Sequence, residues 1–190
     1  MKLLLKRLQN EWPSWLAVSF FALLPFGRLA EIPLSVFALC LPFLARSAEH
    51  RHRIRLVSII VVPVFLCFWL PMVVSSFDSY LPQKSWVSSI AALRYLAAVL
   101  SMAVLLHADS ARWRVIRWTS YLLVFWALDG FVQLIFGADL FGVAMHPERL
   151  NALFIKKYQF FGPTLAMLSP LLLEHARRHW PSWAWVAAFT

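Results

Sequence analysis

Residues 56–75 read LVSIIVVPVFLCFWLPMVVS, a run of twenty residues without a charged side chain. A helix of this length rises about 30 Å, which matches the hydrocarbon thickness of a bilayer. Further apolar runs occupy most of the chain, over residues 13–27, 32–45, 86–107, 115–136, 160–173 and 181–190. The pattern predicts an all-α fold, a polytopic transmembrane bundle of about six to seven helices.

The composition indicates the same class. Apolar residues make up 61% of the 190 residues and charged residues 14%, whereas a soluble domain has roughly 45–50% and about 25%. A compact soluble fold cannot bury this excess, so the composition excludes the soluble classes.

The basic residues predict an orientation. If the N-terminus is cytoplasmic, the inner segments contain twelve of them: Lys2, Lys6, Arg7, Arg46, Arg51, Arg53, Arg55, Arg112, Arg114, Arg117, Arg177 and Arg178. The outer segments contain five: Arg28, Lys84, Arg149, Lys156 and Lys157. This bias follows the positive-inside rule and predicts a multi-pass membrane protein with a cytoplasmic N-terminus. The formal charge of +9 is then topogenic, and we expect contacts with membrane lipids and no nucleic-acid partner.

The two ends of the chain differ from its middle. Residues 1–11 alternate leucines with basic residues, which predicts an interfacial amphipathic helix before a single transmembrane domain that covers residues 1–190. Runs 13–27 and 32–45 fit either two thin spans or a re-entrant hairpin. The last run ends at Thr190 after about 15 Å of rise, half a bilayer. We therefore expect the N-terminal part of a longer multi-span protein.

Polar residues inside the spans form a first candidate site. Arg94 and Asp129 lie at similar depth on consecutive antiparallel helices, and Gln133 follows Asp129 by one turn. Because a lone charge in hydrocarbon is costly, the spacing predicts an Arg94–Asp129 pair, with Gln133 in the same network. The pair would either fix helix register or form the polar floor of an outward-facing cavity.

Cations on the outer side form a second candidate site. Arg28, Arg149, Lys156 and Lys157 lie where the positive-inside rule expects few of them. Arginine forks match phosphate oxygens and lysine adds a point charge, so these residues predict a site for a lipid-linked phosphate or pyrophosphate. Contact with phospholipid headgroups is the alternative. His146 in the same loop is a further candidate base.

The sequence contains no motif for a cofactor or a metal. Cys40 and Cys67 both lie in apolar runs, without a Cys or His at ligand spacing, and no phosphate-binding or dinucleotide-binding glycine loop is present. We therefore predict no metal and no cofactor.

Residues 129–142, DGFVQLIFGADLFG, resemble the span and following loop of bacterial O-antigen ligases. Arg149-Leu150-x-x-Leu153-Phe154 and the later Gly162 and Pro170 are also similar to that family. Pro25-Phe26-Gly27-Arg28-x-x-Glu31-x-Pro33 resembles its first periplasmic turn. The likeness covers the chain as an N-terminal portion of the O-antigen ligase and polymerase superfamily.

The resemblance implies a metal-independent membrane glycosyltransferase that moves a glycan from undecaprenyl pyrophosphate to the lipid A core at the periplasmic face. It implies that Arg149 holds the pyrophosphate, since Arg149 matches the family pattern Arg-Leu-x-Gly-x-Phe, with Ala152 in place of the usual glycine. The family's catalytic histidine would lie beyond Thr190, and the 190 residues alone would be inactive. The alternatives are an O-antigen polymerase and a non-catalytic membrane scaffold or transporter fragment.

Overall fold

The computed structural model of the protein describes residues 2–144, 150, 152–154 and 160–179, and for residues 2–10 it describes the backbone. The described residues form six α-helices, with a short 3-10 segment, Leu24–Ala30, between the first two. The helices are α1 (Lys2–Ala22), α2 (Glu31–Leu44), α3 (Ala48–Phe77), α4 (Pro82–Leu105), α5 (Asp109–Phe136) and α6 (Phe161–His179). Within these ranges the one strand-like feature is an isolated bridge between Ala138 and Ala144.

Among the described residues, four segments are long and apolar enough to cross a membrane: Leu24–Leu44, Ala48–Phe77, Pro82–Leu105 and Asp109–Phe136. The chain is therefore an all-helical membrane protein, and the finer count of six to seven spans stays a prediction. The sixth predicted run falls in α6, which is not one of the four because Glu174, Arg177 and Arg178 occupy its last turns. There the two arginines donate hydrogen bonds to Glu174 and lower the pKa of its carboxyl to about 2.

A 3-10 segment joins the two helices of the first predicted hairpin. α1 ends at Ala22, and the 3-10 segment passes through Gly27 with φ 67° before α2 begins at Glu31. Glycine is suited to this position because positive φ values are strained for side chains with a Cβ. Residues 1–11 were predicted to form an interfacial helix, and the described ones, residues 2–11, belong to α1.

The helices cluster into two compact units. Unit 1 combines residues 1–30 with 109–190, and unit 2 contains residues 31–108. In unit 1, α5 packs against both α1 and α6. Arg114 of α5 forms a salt bridge of 3.0 Å with Glu11 of α1, and its Nη1 donates to the buried hydroxyl of Ser14.

In unit 2, α4 packs against α2 on one side and α3 on another. The buried face of α4 consists largely of small residues, including Ser89, Ala92, Ala98 and Ser101. Small side chains let helix backbones approach closely, which is the usual source of packing energy between helices in lipid. The indole N–H of Trp69 on α3 donates to the carbonyl of Ser89 at 2.8 Å and joins these two helices.

The closest approach of α5 and α6 occurs at Gly130. A Cβ built there would lie 2.7 Å from Cζ of Phe161, whose ring is buried in an aromatic core. By contrast, a Cβ built at Gly162 on α6 meets no atom within 4 Å. The first glycine is therefore required by packing, and the second is not.

Gly130→Ala forces the Phe161 ring out of its packed position, and we expect a loss of about 1–3 kcal/mol in the free energy of unfolding. Gly162→Ala is the matched control and leaves stability unchanged or slightly raised, because alanine is the better helix former. Thermal unfolding of both variants in the same detergent measures the difference. Equal melting temperatures for the two variants would contradict this account of the contact.

Candidate functional site: a loop held by buried polar side chains

Two polar side chains near the end of α5 are completely buried. Asp129 and Gln133 each have 0% relative exposure and lie one turn apart on the same face of the helix. The chain then leaves α5 at Gly137, whose φ of 74° ends the helix in the left-handed conformation typical of a C-terminal glycine. The two buried side chains are thus directed at the loop that follows.

Gln133 forms hydrogen bonds to the loop backbone at two distant points. Its Oε1 accepts from the N–H of Ala152 at 2.9 Å, and its Nε2 donates to the carbonyl of Val143 at 3.3 Å. Between these two points lie residues 144–151, which include Arg149. One buried amide therefore fixes both sides of the segment that carries the predicted pyrophosphate ligand.

Two carboxylates organise the first half of the loop. Oδ1 of Asp129 accepts from the N–H of Leu140 at 2.9 Å. Oδ1 of Asp139 accepts from the N–H groups of Phe141 and Val143 at 2.9 and 2.7 Å, an Asx-type turn that is closed by Gly142. The Oδ2 atoms of both aspartates are buried and have no hydrogen-bond partner among the described residues.

The second half of the loop packs onto an aromatic core. Ala152 and Phe154 are buried in a cluster with Leu123, Trp126 and Phe161. The ring centroid of Phe154 lies 5.5 Å from that of Trp126 and 5.8 Å from that of Phe161. Ala152 has φ 41°, a left-handed conformation that glycine adopts without strain. This is the position at which the resembled pattern has glycine, and the tight turn forms here with alanine.

Four of the predicted site residues lie outside the described residues: Arg149, Lys156, Lys157 and the candidate base His146. Arg28 is described: it lies in the 3-10 segment of unit 1, directly after Gly27, and is exposed. Within unit 1, no described carboxylate forms an ion pair with Arg28.

The hydrogen bonds described for Arg94 and Asp129 differ from the predicted pair. Nη2 of Arg94 forms a salt bridge of 2.8 Å with Glu31 at the start of α2, within unit 2, and a hydrogen bond of 3.3 Å with the hydroxyl of Tyr95. Asp129 instead accepts from the Leu140 backbone in unit 1. Similar positions along consecutive helices do not select a partner, because the side chain of Arg94 reaches Glu31 on α2. Glu31 is therefore a partner of Arg94 that the sequence pattern did not predict.

The arrangement is suited to positioning a short peptide segment rather than to bond-breaking by itself. Buried side chains that bond to loop backbone reduce the motion of the loop, and a fixed loop holds its side chains in place without further entropy cost. His, Cys, Asp and Glu side chains of the described residues form no group of three or more able to hold a metal ion.

The role of Asp139 in the loop was not predicted from the sequence, although Asp139-Leu140-Phe141-Gly142 is typical of an Asx turn.

Comparisons with protein-family models, with curated proteins and with solved structures found no match for this chain.

Gln133→Leu removes both bonds to the loop, and the amide of Ala152 is then left without its partner. We expect the loop to open about tenfold more often, from a loss of about 1.4 kcal/mol. Trypsin cleavage after Arg149, followed by mass spectrometry of the nanodisc-embedded chain, measures this opening. Gln83→Leu, the same change at an exposed position of α4, is the control. Identical cleavage rates in both variants and the native chain would refute the role of Gln133.

Glu31→Leu leaves Arg94 without its carboxylate in an apolar span, and we expect a loss of about 1–3 kcal/mol in stability. The double variant Glu31→Leu with Arg94→Leu should regain most of that loss because no unpaired charge remains. Thermal unfolding of the two single variants and the double variant gives the coupling energy. Additive losses, with no recovery in the double variant, would show that the two side chains act independently.

Proposed function

We propose that this chain acts in membrane glycosyl transfer of the O-antigen ligase type, and that the loop after α5 binds the pyrophosphate of a lipid-linked glycan. The observation that supports the proposal is the pair of hydrogen bonds from Gln133 to Val143 and Ala152. These bonds hold both sides of the segment that contains Arg149. The resemblance of residues 129–142 and 149–154 to the ligase family supplies the substrate class.

The chemistry requires a preorganised cation. In the proposed transfer, an acceptor hydroxyl on the lipid A core attacks the anomeric carbon of the glycan, and the bond from that carbon to undecaprenyl pyrophosphate breaks. The leaving pyrophosphate takes the bonding electron pair, and the proton of the acceptor hydroxyl passes through a general base to bulk water; the resembled family uses a histidine as this base. Fixed positive charge stabilises the developing negative charge most effectively where water is partly excluded.

The proposed assignment of roles follows from this requirement. Arg149 donates to the pyrophosphate through its guanidinium fork, and Lys156, Lys157 and the exposed Arg28 contribute further positive charge. Asp129, Gln133 and Asp139 act as positioning residues, because their bonds are to the loop backbone. The proposal places the protein in the bacterial inner membrane with a cytoplasmic N-terminus and this loop on the periplasmic side.

Arg149→Ala, introduced into the chromosomal gene, is expected to abolish attachment of O-antigen to the lipid A core while the protein remains at normal abundance in the membrane. Gel electrophoresis of lipopolysaccharide, with a membrane immunoblot, measures both. Arg112→Ala is the control, since Arg112 is an exposed cation that already pairs with Asp109. The physical reason is that a charged hydrogen bond to the pyrophosphate contributes about 1.5–3 kcal/mol.

The banding pattern separates the alternatives. Unmodified core, together with O-antigen that accumulates on its lipid carrier, supports a ligase. Core that carries a single repeat unit indicates a polymerase and overturns the ligase assignment. Native lipopolysaccharide in the Arg149 variant overturns the whole proposal and favours a non-catalytic membrane scaffold.

A further inference from the structure

Two adjoining clefts, together called the α3–α4 groove, lie along the α3–α4 pair of unit 2. Its first part, the aromatic cleft, has a volume of about 400 Å³ and is lined by Phe65, Phe68, Trp69 and Tyr95. Its second part, the serine cleft, has a volume of about 340 Å³ and lies by the α3–α4 turn, where Ser75, Ser79, Ser85 and Lys84 line it. The two clefts share Met72 and Ser88 as lining residues, so the apolar end and the polar end of the groove adjoin.

The polar end has an unneutralised positive charge. Lys84 is exposed at the start of α4, and in the described part of unit 2 no carboxylate pairs with it. Two of the three carboxylates of that unit are already paired, Glu31 with Arg94 and Glu49 with Arg53. The third, Asp78, lines neither cleft. The serine cleft is therefore complementary to an anion.

Hydroxyl groups beside Lys84 add hydrogen-bonding capacity. The Ser79 and Ser85 oxygens are 2.6 Å apart, so one hydroxyl donates to the other and the accepting hydroxyl keeps its own proton as a donor. Ser75 and Ser88 donate to carbonyls of their own helices at 3.0 and 2.9 Å, bonds that a χ1 rotation exchanges for a bond to a ligand oxygen. A phosphate with its oxygen acceptors fits this set of donors.

The apolar end has the length of a lipid chain in one leaflet. From Lys84 to Tyr95 the helix rises about 16 Å, roughly half the hydrocarbon thickness. Phe68 is 77% exposed, and none of the most apolar stretch of α3 is buried by the rest of the described chain. A free phosphate would leave these aromatic surfaces uncovered, whereas an alkyl chain covers them. Arg94 at the far end is already neutralised by Glu31 and does not compete for the headgroup.

We propose that the α3–α4 groove binds one anionic phospholipid, with its phosphate at Lys84 and the neighbouring serine hydroxyls and one acyl chain along Phe65, Phe68 and Trp69. This site is independent of the proposed ligase-type function, since it uses none of the residues of the α5 loop. Through this site the α3–α4 hairpin selects a lipid by the charge of the lipid headgroup.

The test uses the full chain in nanodiscs with equal amounts of dioleoylphosphatidylglycerol, which is anionic, and dioleoylphosphatidylcholine, which is zwitterionic. Native mass spectrometry counts the lipid retained after release. We expect one phosphatidylglycerol to be retained in preference. Lys84→Gln should reduce that retention about fivefold. This factor corresponds to the binding free energy that one lysine contributes near an anionic membrane surface. Arg55→Gln, a matched loss of charge on an exposed residue of α3, should leave it unchanged.

A second variant separates the groove from general surface charge. Ala91 is exposed and lines the aromatic cleft, so Ala91→Trp fills the cleft without disturbing a buried position, and we expect loss of the retained lipid at an unchanged melting temperature. Equal retention of the two lipids by the native chain, or retention of phosphatidylglycerol that is undiminished in Lys84→Gln, overturns the proposal. A lipid-free chain in which a second copy covers the groove, detected as a dimer mass, also overturns it.

Discussion

The organisation of unit 1 depends on one buried amide. Gln133 bonds to the backbone of Val143 and Ala152, ten and nineteen residues along the chain, and it is completely shielded from solvent. An unsatisfied polar group at such a position lowers the free energy of unfolding, because neither water nor lipid can replace its partner. These two hydrogen bonds hold the loop against α5. They also keep Ala152 beside the aromatic core, in which Phe154 packs.

Packing and polar bonding support each other around this amide. Gly130 lets the Phe161 ring approach α5, and that ring, with Trp126 and Phe154, covers the side of the loop on which Ala152 lies. Ala152 is held at φ 41° because its N–H is fixed by Gln133 while its methyl is buried. A conformation that costs about 1–2 kcal/mol for alanine is thus maintained by its surroundings. The Oδ2 atoms of Asp129 and Asp139, which have no partner among the described residues, leave further bonding capacity in the same region.

Much of the helical structure could be predicted from sequence, and the partners of the polar groups could not. Length and hydropathy identify the runs that became α3, α4 and α5, since a helix is the main way to satisfy backbone groups in lipid. The place of Arg94 within an apolar helix was also evident, but its direction around the helix was not, and it pairs with Glu31. The same holds for Gln133: its position one turn from Asp129 was evident, while its bonds to Val143 and Ala152 depend on a loop path that no periodicity encodes. Arg149, Lys156 and Lys157 lie outside the described residues, so their expected role stays a prediction.

Hydrogen–deuterium exchange on the unmodified protein in nanodiscs tests most directly whether buried side chains hold this loop. The decisive amides are those of Leu140, Val143 and Ala152, which donate to Asp129, Asp139 and Gln133 respectively. The account predicts that they exchange as slowly as the interior amides of α5, since opening requires breaking buried bonds. Exchange at the rate of an exposed loop amide, while α5 remains protected, would contradict it.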